Sequence, residues 1–348
     1  MRFEYYHAGL ADVPKLSIDG TVDNALHFSH WRGNRTPARL RADTSTEIAL
    51  NLVAAPDRDE LTQGIELVTN NHFDTDGVLS VWTVLAGERA LALRARLVAA
   101  AEAGDFSADT GEDAIRASLV IQGADGAIPC AGVGSPLARR LAGGEVGEAR
   151  AYELLLPEVE NVLVRTGDYE ELWRAAWDEI ARAFESFEGG TSRVEEDEAA
   201  RLSVVSLAPE LYGASGFKPT RHAAPYTAIT RHARGEVYLV VVPMSGGHGY
   251  RIDYPYYSWA DTVVRPRVER RDFATLLERL NELEHDASGG SWKADTSELT
   301  SAVKFSDEGG VLTTSRLAPE TVAAELRAAL LPPQQQPPAR EALLSTEA

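Results

Sequence analysis

Cysteine is nearly missing from this 348-residue chain. Cys130 is its single copy, so no intramolecular disulfide can form and no cysteine cluster can hold zinc. Long apolar runs are missing too, none approaching the roughly eighteen residues that a membrane-spanning helix needs. The opening residues, Met1-Arg2-Phe3-Glu4-Tyr5-Tyr6-His7, lack the basic-then-apolar order of a signal peptide. Basic side chains are the minority, 34 against 53 acidic, for a formal charge of -19. That balance disfavours long-range attraction to phosphate backbones or anionic membranes. Neither a Gly-x-x-x-x-Gly-Lys phosphate loop nor a nucleophile-elbow context around Ser80 occurs. These absences lead to the expectation of a cytoplasmic protein without membrane association. A small anionic partner is expected rather than long nucleic acid, and a homodimer is left open.

Hydrophobic residues make up 44% of the chain, enough to fill a sizeable core in two domains or one large one. Its organising stretch is Gly64-Ile65-Glu66-Leu67-Val68-Thr69-Asn70-Asn71-His72-Phe73-Asp74-Thr75-Asp76-Gly77-Val78. An apolar run ends in polar residues, and Gly77 then opens a segment of helical character, which predicts a strand, a loop and a helix start. Side chains at alternate positions of an extended loop share a face. His72, Asp74 and Asp76 are therefore placed to ligate one cation, and an imidazole among carboxylates shifts the preference toward manganese or zinc over calcium. The competing reading is an ordinary acidic turn that caps a helix N-terminus.

Elsewhere, Lys15 to Gly20 alternates like a half-buried strand ending at an Asp-Gly turn. Leu26 to Pro37 reads as a strand running into a loop, and Asp43 or Thr44 is placed to cap a helix with Glu47 in reach. Helical spacing continues from 77 to 103 with a break near 86–88, and further helices are expected over 111–122 and 168–188. In the last of these, the tryptophans are read as core. Residues 188–200 read as a linker, after which 202–207, 226–232 and 237–243 are β-rich and 233–236 is a hairpin turn. Helices at 272–285 and 319–331 precede a Pro/Gln-rich tail.

Asn71-His72-Phe73-Asp74-Thr75-Asp76-Gly77, after a strand and before a helix, resembles the first motif of the DHH phosphoesterase superfamily. Its members include pyrophosphatases, exopolyphosphatases, dinucleotide phosphodiesterases and single-strand exonucleases. The name-giving Asp-His-His triplet is absent. Ser29-His30-Trp31-Arg32-Gly33-Asn34 followed by Thr44-Ser45-Thr46-Glu47 resembles the triplet's neighbourhood, with His30 in place of the second histidine and Ser29 of the first. Asp19 matches the superfamily's isolated Asp, and Asp105 its late one. Singly, Asp19 also reads as a turn residue, His30 as a histidine packed on Trp31, and Asp105 as a loop cap. The chain order of these motifs is permuted, which a parallel sheet allows because ligands at strand ends meet in space whatever their order. Ser245-Gly246-Gly247-His248 resembles the glycine-rich segment of the accompanying substrate domain, or is a plain hairpin loop.

The resemblance implies an α/β fold with a parallel-sheet domain covered by helices on both faces, plus a smaller α+β domain. The expected division is 1–187 metal-binding, 188–200 linker, 201–331 substrate-binding and 332–348 a disordered tail. One or two Mn2+ or Mg2+ ions are expected on His72, Asp74, Asp76, Asp19, His30 and Asp105. His30 and Asp76 are expected to be catalytic, and Arg32, Asn34, His248 and Arg251 to hold substrate. The implied activity is hydrolysis of a small phosphorylated or dinucleotide substrate. The alternatives are non-hydrolytic metal chemistry or a decayed binding protein on the same scaffold.

Overall fold

The computed structural model describes residues 1–125, 134–141, 146–211, 223–284, 289–296 and 299–331. Cys130 and the 332–348 tail lie outside the described residues. The described chain forms two compact units, one of residues 1–191, 223–232 and 255–268, the other of 192–211, 233–254 and 269–331.

The first unit is built on four strands: β1 (Arg2–Phe3), β2 (Lys15–Ile18), β3 (Ala25–Phe28) and β4 (Leu67–Thr69). They pair in the order β1-β4-β2-β3, all parallel, so every strand ends on the same edge. The β2 stretch, expected to be half-buried, is buried at every position. Leu16 and Ile18 point to one side and Lys15 and Ser17 to the other, so both faces are covered. Lys15 tolerates this because its ammonium donates to the carbonyls of Leu10, Ala11 and Val13 at 2.9 to 3.2 Å.

Helix Ser45–Ala54 connects β3 toward β4, with Thr44 as its N-cap accepting from the Glu47 N–H at 3.2 Å. Helix Thr75–Ala86 follows β4 and packs chiefly on helix Ser45–Ala54, and its Val78, Leu79 and Val81 are each fully buried. Burial of each contributes roughly 1.5–3 kcal/mol relative to exposure. The break expected near 86–88 falls at Gly87, whose φ of 62° ends that helix. A short turn at Glu88–Leu91 separates it from helix Arg94–Phe106. Helices Glu112–Gln122 and Glu170–Glu188 lie close to the expected spans, and Leu172, Trp173, Trp177 and Ile180 are indeed core.

One element differs from expectation. Residues 226–232, rich in β-branched side chains, belong to helix Ala223–His232. Tyr226, Ala228 and Ile229 bury in the first unit, and packing against helix Glu170–Glu188 overrides the local β preference.

The second unit holds β5 (Arg193–Asp197), β6 (Leu202–Ser206), β7 (Val237–Met244), β8 (Gly247–Asp253), β9 (Ser291–Ala294) and β10 (Ser301–Ser306). Their order is β5-β6-β7-β8-β10-β9, with β6 and β7 parallel and the remaining pairs antiparallel. Part of the stretch expected as a linker is therefore an edge strand, because charged Arg193, Glu195 and Glu196 suit the solvent side of β5. Helices Ala274–Glu284 and Pro319–Leu330 complete this unit. The architecture is mixed α/β, with an all-parallel first sheet and a mixed second one. Among the described residues no helix is long and apolar enough to cross a membrane.

Candidate metal centre

Three neighbouring strands deliver acidic or imidazole side chains to their shared C-terminal edge. Asp19 follows β2, His30 follows β3, and the Asn70 to Asp74 loop with the first turn of helix Thr75–Ala86 follows β4. Asp19 has φ 70°, a left-handed conformation that Asp tolerates better than most residues, and its side chain turns inward at 1% exposure. Gly20 beside it has no room for a side chain. A Cβ there would stand 2.2 Å from Asn70 Oδ1 and 2.4 Å from Asn71 Oδ1, so the glycine lets the β2 and β4 loops close on each other.

Two ligand groups result, and they share Asp19. Asp19, His30 and Asp76 form a deep group, while Asp19, His72 and Asp74 form an outer one; within each group the ligand atoms lie within 4.8 Å of one another. In the deep group His30 Nε2 is 3.6 Å from Asp19 Oδ1, 3.7 Å from Asp76 Oδ2 and 3.2 Å from Asp105 Oδ2. In the outer group His72 Nε2 is 2.9 Å from Asp19 Oδ2 and 3.0 Å from Asp74 Oδ2. His72 and Asp74 have side chains 29% and 37% exposed, against 0% to 1% for the deep trio.

Local structure orients each ligand. His30 Nδ1 lies 2.6 Å from the Asp43 carbonyl, which sets it as the donor, so that the neutral imidazole presents its Nε2 lone pair to the carboxylates. Asp76 accepts the main-chain N–H groups of Ser45 (2.6 Å) and Thr46 (2.7 Å), the first residues of helix Ser45–Ala54. The positive end of that helix thus holds a buried carboxylate. The Asp74 carboxylate is divided: Oδ1 accepts from the Gly77 N–H at 2.7 Å as a helix cap, and Oδ2 faces His72 at 3.0 Å.

Asp19 Oδ2, His30 Nε2 and His72 Nε2 are buried without a hydrogen-bond partner. Each lies close to opposite charge but is misaligned for a hydrogen bond, as atoms arranged around a common centre are. Buried polar atoms are otherwise nearly always paired. The set of imidazole nitrogens and carboxylate oxygens fits a divalent cation, so these Asp/His groupings can hold a metal ion.

Without an ion, protons balance the charge. Burial disfavours the His72 imidazolium, but Asp74 and Asp19 outweigh it and push the pKa up to about 12. Burial likewise opposes His30, and Asp105, Asp76 and Asp19 raise it to about 10. Burial and the Asp19 charge raise Asp76 to about 7, and burial with Asp74 and Asp76 lifts Asp105 well above the usual carboxylate range. Burial would raise Asp19 as well, but the His72 and His30 charges prevail and hold it low.

A model of a family of unknown function, DUF6687, matches residues 2–337. The chain belongs to DUF6687. No curated protein matches it. Among solved structures, the DUF6687 chain is similar to the pGpG-specific phosphodiesterase PggH from Vibrio cholerae. The two are 11% identical over 85% of this chain and 78% of that one, with a TM-score of 0.34. A likeness of that size carries no conclusion about chemistry.

The remaining expected site residues of the DUF6687 chain are distributed differently. Asp105, near the end of helix Arg94–Phe106, joins the deep group through His30. Arg32 is exposed and donates to the Ser258 carbonyl at 2.8 Å. Asn34 shapes its loop, donating to the Trp31 carbonyl and accepting from the Thr36 N–H. In the second unit, Ser245 and Gly246 form the β7–β8 hairpin turn, which is the plainer of the two readings, and His248 is half-buried in β8. Arg251, expected to hold substrate, is instead 4% exposed, with its guanidinium on Asp253 and Ser301 at 3.1 to 3.3 Å. Sequence reading missed the Ser45 and Thr46 N–H groups. The Thr44 cap announced that helix terminus, but no signal said which anion it would meet. It also missed Tyr152, whose hydroxyl donates to the His72 carbonyl at 3.1 Å from 80 residues away.

Proposed function

We propose that this chain is a divalent-metal-dependent phosphoesterase acting on a small phosphorylated or dinucleotide substrate, on a DHH-like scaffold with permuted ligand order. The observation that carries the reading is the shared carboxylate of Asp19, which belongs to two adjoining ligand groups whose unpaired atoms face inward. When bound, Mn2+ or Mg2+ supplies an acidified water and positive charge opposite phosphoryl oxygens, and the two imidazoles favour Mn2+ over Mg2+. Asp19 spans both groups. His30, with Nδ1 tied to a carbonyl, holds Nε2 toward the deep position as a ligand, and Asp76 and Asp105 flank it. His72 and Asp74 form the solvent-reachable side, where a substrate phosphate arrives. Arg32, on the loop after His30, is a candidate to meet that phosphate.

Metal analysis followed by Mn2+-dependent hydrolysis of bis-p-nitrophenyl phosphate, pyrophosphate and dinucleotides tests the reading. Product release that needs Mn2+ and disappears in Asp74→Ala is the expected result. Bound metal without release from any substrate would point to non-hydrolytic chemistry, and no bound metal to a decayed scaffold.

A further inference from the structure

Asp43 stands two residues before helix Ser45–Ala54, yet Thr44 caps that helix. The Asp43 carboxylate, 4% exposed, is engaged elsewhere. Its Oδ1 accepts the N–H groups of Val263 (2.6 Å) and Val264 (2.8 Å), and its Oδ2 accepts the Arg265 N–H (3.1 Å) and Nη1 (3.0 Å). Apolar packing of Trp259 and Ala260 on Phe106 holds the start of this segment, but not its end, since Val263 and Val264 are 57% and 86% exposed. Polar hooks hold the rest: Arg32 donates to the Ser258 carbonyl, the Asp261 N–H donates to the His30 carbonyl at 2.7 Å, and Arg265 also reaches Glu102 at 2.9 Å. Between the hooks sits Trp259. Its ring meets the His30 imidazole edge-on at 4.8 Å and the Trp31 ring at 4.8 Å. The carbonyl of the same Asp43 takes His30 Nδ1.

We propose that Asp43 is a positioning residue for the deep ligand group: its carboxylate latches Trp259 over His30 while its carbonyl aims the imidazole, and the latch sets how fast an ion enters and leaves. The inference rests on the metal reading of Asp19, His30 and Asp76. A carboxylate can accept all four donors, whereas an amide presents an NH2 group to two of them. Asp43→Asn therefore keeps the shape and releases the segment, while the main-chain bond to His30 persists.

The test compares wild type, Asp43→Asn and Trp259→Phe, each also in an Asp74→Asn background that leaves the deep group alone. Hydrogen exchange of the Val263, Val264 and Arg265 amides reports the latch without any ion. A chelator chase of bound Mn2+ reports the release rate. Asp43→Asn is expected to lose amide protection and to release the deep ion about 10- to 100-fold faster, if the affinity that outer partners of metal ligands typically contribute is lost through the release rate. Trp259→Phe should keep the protection yet release faster. Loss of protection with an unchanged release rate would overturn the latch alone, as would Trp259→Phe at the wild-type rate. A wild-type protein that binds no ion would overturn the latch and the metal reading together.

Discussion

Ion uptake by this chain should expel protons, and their number follows from His30 and His72. With pKa values of about 10 and about 12, both imidazoles are protonated at pH 8 when no ion is present. Each must lose its proton to ligate, so each ion displaces at least one. A one-proton exchange tightens binding about tenfold per pH unit, or roughly 1.4 kcal/mol. The deep ion should therefore tighten tenfold per unit from neutrality to about pH 10, and the outer ion beyond that, toward about pH 12. Below about pH 7 Asp76 also carries a proton, which makes the deep ion's dependence steeper. The ion-free protein behaves oppositely. The stabilisation from the raised histidines is complete below their unfolded pKa near 6.5 and is lost as pH rises through about 10 and about 12. The raised Asp76 removes stability between its unfolded pKa of 3.8 and about 7. Calorimetry of Mn2+ binding in buffers of different ionisation heat, at pH 7 and pH 9, counts the protons directly. Affinity that is flat across that interval with no proton release would refute the assignment of the histidines as ligands.

Asp19→Asn should abolish the thermal stabilisation by Mn2+, which for wild type at about a hundred times Kd is roughly 2.7 kcal/mol, or about 5–11 °C in a melt. Asp74→Asn separates the two duties of that residue. Asn caps a helix about as well as Asp, so stability without ions should change by less than about 1 kcal/mol while outer-ion binding is lost. Gly20→Ala forces a Cβ onto Asn70 and Asn71 and should cost about 1–3 kcal/mol, with weaker metal binding in the same protein by titration. Arg251→Ala strands the buried Asp253 charge and should destabilise the second unit by about 3–5 kcal/mol in denaturant, leaving Mn2+ binding intact.

How far the site could be read from sequence depended on the range of the forces involved. The spacing of His72, Asp74 and Asp76 is a local signal that marked all three, but not their grouping. Asp76 lies in the first turn of helix Thr75–Ala86 and joins the deep group, while His72 and Asp74 stay on the loop in the outer one. A helix cap at Asp43 or Thr44, a break near 86–88 and the amphipathic face of Glu170–Glu188 were legible for the same reason. Asp19 and His30 entered through a resemblance, and the strand order that puts them beside the loop is a property of the sheet. Residues 226–232 misled because β-branched side chains state a weak preference that packing reverses. Arg251 misled because a sequence shows that an arginine is present but not that Asp253 and Ser301 already surround it. The hold of Asp43 on Val263 to Arg265 spans about 220 residues and leaves no mark in either segment.

The divided carboxylate of Asp74 narrows what position 74 can tolerate. As a helix cap it accepts a small vocabulary of Asp, Asn, Ser and Thr, and as a hard-cation ligand it accepts a different one of Asp and Glu. The two vocabularies share a single word. A lineage of this family that gave up its ion would be released from the second list but still bound by the first. Asn, Ser or Thr at this position should then mark the relatives that fold alike and no longer bind metal.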